Sequence, residues 1–352
     1  MIQMHDHRLQ SVQDTPRQTV LSICIPTYNR AAGVKVAIET ALRESDRIVD
    51  RIPVEIVVCD NASTDQTKSV VEQFQHSRIR YQRSDTLVSM YANHNRCIDL
   101  ARGEWITFLH SDDTYPDKYL SGVADLLHMH PEADLLTNLS LANTGFDVSD
   151  FATMDPQKRC VYQAASVLLC GGGPPSGSIY RRAAFDRCGR FDETTYMADT
   201  KLTVDWLIRG CHAVHFRVDP PVWELRPGAV SVSTDYVRNH WHDWRLPYQA
   251  AFGSHLADAL REATAELFHR LGYPWKMSVL YTAFSIDQRG LARHWIRRDP
   301  ARLRYLRSSR FYTHVLPSII SHRAYHALRW RIFGIRQWIR QRNMMKTSPM
   351  AT

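Results

Sequence analysis

Between residues 20 and 140 short β-rich runs alternate with helical patterns, and that alternation limits the fold more than any other feature. VLSICIP (20–26), PVEIVVCD (53–60), IRYQR (79–83), GEWITFLH (103–110) and ADLLTNLS (133–140) read as strands. Helical spacing falls between them at 34–44, about 65–75 and roughly 89–101, and a fourth helix is expected to begin around Pro116. Continuous apolar strands separated by helices imply a mostly parallel sheet covered on both faces. Ligands of such sheets bind beyond the carboxyl ends of the strands. The strand ends here are Thr27-Tyr28-Asn29-Arg30, Asp60-Asn61 and Ser111-Asp112-Asp113, and all should open onto one edge. After residue 140 the periodicity weakens. GGGPPSGS (171–178) reads as a loop, DTKLTVDWLIR (199–209) as a helix, 213–217 and 222–226 as short strands, and the chain beyond 234 as helical.

Asp112 and Asp113 are adjacent carboxylates at a sheet edge, which repel unless a cation or proton compensates them. A hard divalent ion such as Mg²⁺ or Mn²⁺ takes carboxylate oxygens and shares its coordination with substrate phosphates. A helix N-cap would account for one of the two. Asp60 at its strand end suits a nucleobase or ribose contact, or equally the start of a turn.

Four segments in consistent order carry a family resemblance: SICIPTYNR, EIVVCDNASTDQT, NRCIDLARGEWITFLHSDD and GRFDETTYMADTKLTVDWLIRG. Over about residues 19–232 the chain resembles glycosyltransferase family 2, with its GT-A (Rossmann-like) fold. The resemblance implies transfer of a sugar from a nucleoside-diphosphate donor to an acceptor hydroxyl, with inversion at the anomeric carbon. It implies that Pro26, Thr27, Tyr28 and Arg30 line the nucleotide end, that Asp60 binds the base, and that Asn95 lies near the donor. It implies further that Asp112 and Asp113 hold the metal and diphosphate, with Asp112 also touching substrate, and that Asp199 is the catalytic base. A sugar hydroxyl is a poor nucleophile, so a carboxylate must take its proton during attack; Asp205 is the fallback. Three positions depart from the pattern. His110 replaces the first acid of D-x-D-D, Cys97 replaces a glycine, and Arg226-Pro227-Gly228 replaces His-Pro-Gly. Arg226 could pair with a diphosphate as a fixed cation. His110 is expected to be hydrogen-bonded, with metal ligation as the other reading.

Charge divides the chain. Residues 293–352 hold thirteen Arg and one Lys against Asp299, a net +13, which leaves −5 for residues 1–292 of a total of +8. Within HRAYHALRWRIFGIRQWIRQR (322–342), Tyr325, Leu328, Ile332, Ile335 and Ile339 form one apolar stripe flanked by arginines, with Trp330 and Trp338 beside it. Such a helix suits an anionic membrane surface; packing on the catalytic domain is the plainer reading, and nucleic acid is disfavoured. The organisation expected is a polar leader (1–18), a catalytic domain (19–232, divided at 140/141) and a basic helical extension (233–352). No apolar run reaches the ~20 residues of a membrane span, and the leader has no apolar signal-peptide core. Seven scattered cysteines without a CxxC pair read as separate reduced thiols. The expectation is therefore a cytoplasmic enzyme, peripheral on the inner face of the membrane. It would build cell-surface polysaccharide or lipid-linked glycans from a nucleoside-diphosphate sugar. A sugar-nucleotide nucleotidyltransferase and a catalytically degenerate binding module are the alternatives.

Overall fold

The computed structural model describes residues 21–138, 153–216, 222, 243–286 and 288–300. Seven strands form one sheet: β1 (Leu21–Thr27), β2 (Val54–Asp60), β3 (Ile79–Arg83), β4 (Trp105–Phe108), β5 (Leu135–Asn138), β6 (Ile179–Arg181) and β7 (Ala213–Phe216). Their order is β3-β2-β1-β4-β6-β5-β7, and only β6 runs against its neighbours. Mostly parallel was the expectation, and it holds. The order reverses direction between β1 and β4, so the loops beyond their carboxyl ends flank a crevice.

Alternation along β1 and β2 loads both faces of the sheet. Leu21, Ile23, Ile25, Ile56 and Val58 pack against α1 (Ala31–Asp46), α2 (Thr67–Glu72) and α4 (Tyr119–Met129). Cys24, Val57 and Cys59 face the other core, with α3 (Met90–Leu100), α5 (Pro156–Cys170), α6 (Arg182–Cys188) and α7 (Ala198–Ile208). That second core continues into α8 (Arg245–Phe252), α9 (Ala257–Arg270), α10 (Tyr273–Ser285) and α11 (Arg289–Arg298). Trp295 of α11 is fully buried, its indole N–H donating to Thr264 Oγ1 at 3.1 Å. A buried Lys276–Asp299 pair at 2.7 Å ties α10 to the end of α11. The helices up to Pro300 thus share the core of the sheet domain. The boundary expected at 232/233 and the apolar stripe of 322–342 lie outside the described residues.

Several expectations shift. The fourth strand is shorter than 103–110, and His110 falls in the turn beyond it. α4 starts at Tyr119 rather than at Pro116, because Lys118 adopts a left-handed backbone (φ 62°) that interrupts the turn. α5, β6 and α6 were not read from sequence; the pair Asp155-Pro156 was the available signal. Asp155 caps α5 by accepting from the Lys158 N–H at 3.0 Å, with Pro156 in the first turn. The end of α6 meets the segment after α7, where the Cys188 and Cys211 side chains lie against each other with Cα atoms 7.4 Å apart, wider than a disulfide spans. Cys24, Cys59, Cys97, Cys160 and Cys170 are free thiols.

Candidate active site

β1 and β2 end in register, Thr27 opposite Asp60, so their loops rise side by side. Asn29, at a left-handed φ of 48°, fastens them together. Its Oδ1 accepts from the Thr64 N–H at 2.7 Å, and its own N–H donates to Ser63 Oγ at 2.9 Å. The Arg30 and Ala31 N–H groups, at the start of α1, donate to Thr67 Oγ1 and Asp65 Oδ2. Tyr28 projects from this clamp with 43% of its surface exposed. Pro26 and Thr27 are buried, and the Thr27 hydroxyl has no hydrogen-bond partner among the described residues.

Asp60 has no exposed surface. One of its oxygens accepts from the Ser63 N–H at 2.9 Å and the other from the Tyr81 hydroxyl at 2.5 Å. Burial and this bond to a carboxylate raise the Tyr81 hydroxyl well above its ordinary range. These bonds brace the β2–α2 loop and leave each Asp60 oxygen with a further lone pair. Asn95 is also hydrogen-bonded within the protein. Its amide donates to the Phe191 carbonyl at 2.9 Å and to Glu193 at 2.8 Å, and accepts from the Phe191 N–H at 3.2 Å. It joins α3 to the loop before α7.

The turn beyond β4 brings His110, Asp112 and Asp113 together, each offering one ligand atom, all within 4.8 Å of one another. The Asp113 N–H closes the turn on the His110 carbonyl at 2.9 Å. Two neighbours hold the turn in place. Gly33 in the first turn of α1 approaches so closely that a Cβ there would stand 2.2 Å from the Ser111 carbonyl oxygen. From the Gly/Pro-rich loop, Ser176 Oγ accepts the His110 N–H at 3.2 Å. Asp112 pairs with Arg30 at 3.4 Å, linking the paired acids to the nucleotide loop. Two oxygens and a nitrogen in this spacing fit a divalent ion of the Mn²⁺ or Mg²⁺ type.

Asp199 sits in the first turn of α7, where its Oδ1 accepts from the Thr200 N–H at 2.6 Å. The Gly/Pro-rich loop reaches the neighbouring Thr200, whose Oγ1 accepts from the Gly172 N–H at 3.3 Å. Desolvation pushes the Asp199 carboxyl up to about 6, against the opposing pull of the Thr200 N–H and of nearby His110. A carboxylate raised by crowding beside a charged cluster is what a general base requires. Asp205, one and a half turns on, is bound to Lys201 at 2.8 Å. Asp243, just before α8, accepts from Thr195 Oγ1 at 2.7 Å and from the Tyr196 N–H at 2.9 Å and so pins the loop that leads to Asp199. Arg226 lies outside the described residues.

Sequence reasoning missed His94, Ser176, Tyr81 and Asp243 as site-forming residues. Ser176 lies in a loop whose composition marked it as irregular. The other three have no local signal, since each meets its partner only through the tertiary fold.

Known proteins share parts of this sequence and this fold. Residues 22–189 match the family model described as glycosyl transferase family 2. Over 191 residues the chain is 27% identical to the GalNAc(5)-diNAcBac-PP-undecaprenol beta-1,3-glucosyltransferase of Campylobacter jejuni, covering 53% of this chain and 59% of that protein. Over 121 residues it is 33% identical to a PGL/p-HBAD biosynthesis glycosyltransferase of Mycobacterium bovis, covering 33% of this chain and 45% of that one. The chain thus spans about half the length of these curated relatives. Among solved structures, S. aureus TarS 1-349 in complex with UDP-GlcNAc superposes with a TM-score of 0.57 at 19% identity, covering 88% of this chain and 91% of that one. The described fold is of the GT-A type, and residues 22–189 are similar to glycosyltransferase family 2.

Proposed function

We propose that this protein is an inverting glycosyltransferase that moves a sugar from a nucleoside diphosphate to an acceptor hydroxyl, with Asp199 as the base. The observation that carries the proposal is the raised carboxyl of Asp199 beside the cluster of His110, Asp112 and Asp113, with the 171–178 loop bonded to both Thr200 and His110. In this reading His110, Asp112 and Asp113 hold a divalent ion, which when bound would neutralise charge growing on the leaving diphosphate. Arg30 adds a fixed cation at the same end. Tyr28 offers an exposed ring for a nucleobase. Asp60 and Asn95 hold the loops that shape the pocket.

Asp199 would accept the proton of the acceptor hydroxyl as the oxygen attacks the face of the anomeric carbon opposite the diphosphate. One displacement of this kind inverts the stereochemistry. A pKa of about 6 leaves the carboxylate ionised at neutral pH and a better base than an ordinary aspartate.

The names of the relatives support a lipid-linked or surface-glycan acceptor, since the Campylobacter protein is named for an undecaprenol-linked substrate. No helix among the described residues is long and apolar enough to cross a membrane. We place the protein on the cytoplasmic face as a peripheral enzyme, with the basic tail as its anchor to anionic lipid.

The direct test is a panel of nucleotide sugars, uridine donors first, read by thermal stabilisation with and without Mn²⁺. A donor that stabilises the parent should stabilise Asp199→Asn equally, yet be turned over only by the parent. Failure of every donor to stabilise the protein, or full turnover by Asp199→Asn, would refute the assignment.

A further inference from the structure

His94 on α3 and His110 beyond β4 belong to different elements, yet their rings meet edge-on with the two Nε2 atoms 3.0 Å apart. The Nδ1 of His94 lies 2.8 Å from the Met90 carbonyl oxygen, one helical turn back. A carbonyl oxygen only accepts, so this Nδ1 carries a hydrogen, and the Nε2 of the neutral ring carries a lone pair. Two nitrogens at 3.0 Å share one hydrogen, which must then come from His110. Its Nε2 donates, and its Nδ1 is left with the lone pair. That Nδ1 faces Asp113 Oδ2 at 3.6 Å and belongs to the same cluster as Asp112. A lone pair opposite a carboxylate oxygen is repulsive until a cation sits between them.

The surroundings of His94 hold its ring in place. Tyr91, Phe108 and Phe191 lie with centroids 5.2, 5.1 and 5.6 Å from it, and the residue is buried. The hydrogen-bond chain from the Met90 carbonyl through His94 to His110 therefore selects one tautomer at the cluster. A second ring atom bonded to a fixed partner is how proteins orient a ligating histidine.

We propose that His94 is a positioning residue that locks His110 with its Nδ1 lone pair toward Asp112 and Asp113. His110 is thereby a nitrogen ligand of the divalent ion and biases the site toward Mn²⁺ over Mg²⁺. Imidazole suits the later divalent metals, whereas Mg²⁺ takes oxygen almost exclusively. The inference rests on the metal-dependent reading above.

The test uses the full chain stripped of metal and then loaded with Mn²⁺ alone. Electron paramagnetic resonance counts the bound ion, and spin-echo modulation reports ¹⁴N coupled to it. Bound Mn²⁺ should show the coupling of one imidazole, and Mg²⁺ should compete poorly. His110→Asp should keep Mn²⁺, lose the nitrogen coupling and bring the two metals closer in affinity. His94→Phe, which fills the same aromatic setting without an acceptor, should weaken Mn²⁺ binding by ~10–100-fold. His94→Gln, whose amide oxygen can accept from His110, should recover part of that loss, and it carries the comparison if the Phe variant misfolds. Bound Mn²⁺ without nitrogen coupling overturns the inference and leaves the transferase reading intact, as does unchanged Mn²⁺ affinity in both His94 variants. No bound Mn²⁺ at all overturns both.

Discussion

Replacing Asp199 by Asn should make the protein more stable and nearly inactive, and the two effects should depend on pH in related ways. The Asp199 carboxyl is raised from 3.8 to about 6, chiefly by desolvation. The folded state therefore binds this proton more tightly than the unfolded chain does. The stability linked to that proton is fully present below about pH 4 and is lost as pH rises through about 6. Two units correspond to about 3 kcal/mol at 1.36 kcal/mol per unit. Asp199 is partly exposed, and Asn loses the charge assistance in the bond from Thr200, so about half of that should be recovered. Asp199→Asn should thus raise the unfolding free energy by about 1–2 kcal/mol at pH 8 and by almost nothing at pH 4. Urea unfolding in chelator at both pH values measures it, with unchanged slope showing that the unfolded state is not altered. Turnover should fall by roughly 10²–10⁴-fold. In the parent, turnover should decline below about pH 6 as the base becomes protonated. A destabilised Asn variant at pH 8, a pH-independent difference, or a parent profile that falls only near pH 4 would refute the desolvated-base argument.

Asp112→Asn and Asp113→Asn should each lose metal-dependent donor binding while remaining folded; full activity of both in chelator would end the metal assignment. Gly33→Ala should cost about 1–3 kcal/mol and weaken metal binding, because its methyl group would press on the Ser111 carbonyl; wild-type Mn²⁺ affinity in this variant would contradict it. Asp243→Ala frees the loop before α7, so turnover should drop with donor affinity unchanged, and a matching loss of donor affinity would show a broader collapse. A chain cut after Pro300 retains the buried Trp295 and should keep nucleotide-sugar affinity while losing salt-sensitive sedimentation with anionic vesicles. Equal binding of the full chain to neutral vesicles would refute the anchor.

Local pattern was enough for the parallel half of the sheet. Four apolar runs and the short polar edge run IRYQR, with helical spacing between them, place β1 to β5, because burial on both faces demands continuous hydrophobicity in the inner strands. The polar residues just past those runs could be assigned to one sheet edge for the same reason. The paired acids were conspicuous because adjacent like charges need a compensating partner. Chain order alone could not say which polar residues face the pocket. Asp60 and Asn95 stand at the expected places, and Ser63, Tyr81, Phe191 and Glu193 bond to them inside the protein. The Cys188–Cys211 pair, the Asp243 brace and the contact of His94 with His110 join residues from separate elements, and no local spacing encodes them. The sequence by itself determined the strands and helices of the first half of the sheet domain and where ionisable groups gather, since periodicity and charge are properties of neighbours along the chain. Only the tertiary structure decided which of those groups are satisfied internally and which remain for chemistry, since desolvation and hydrogen-bond partners are set by whatever the fold packs around each one.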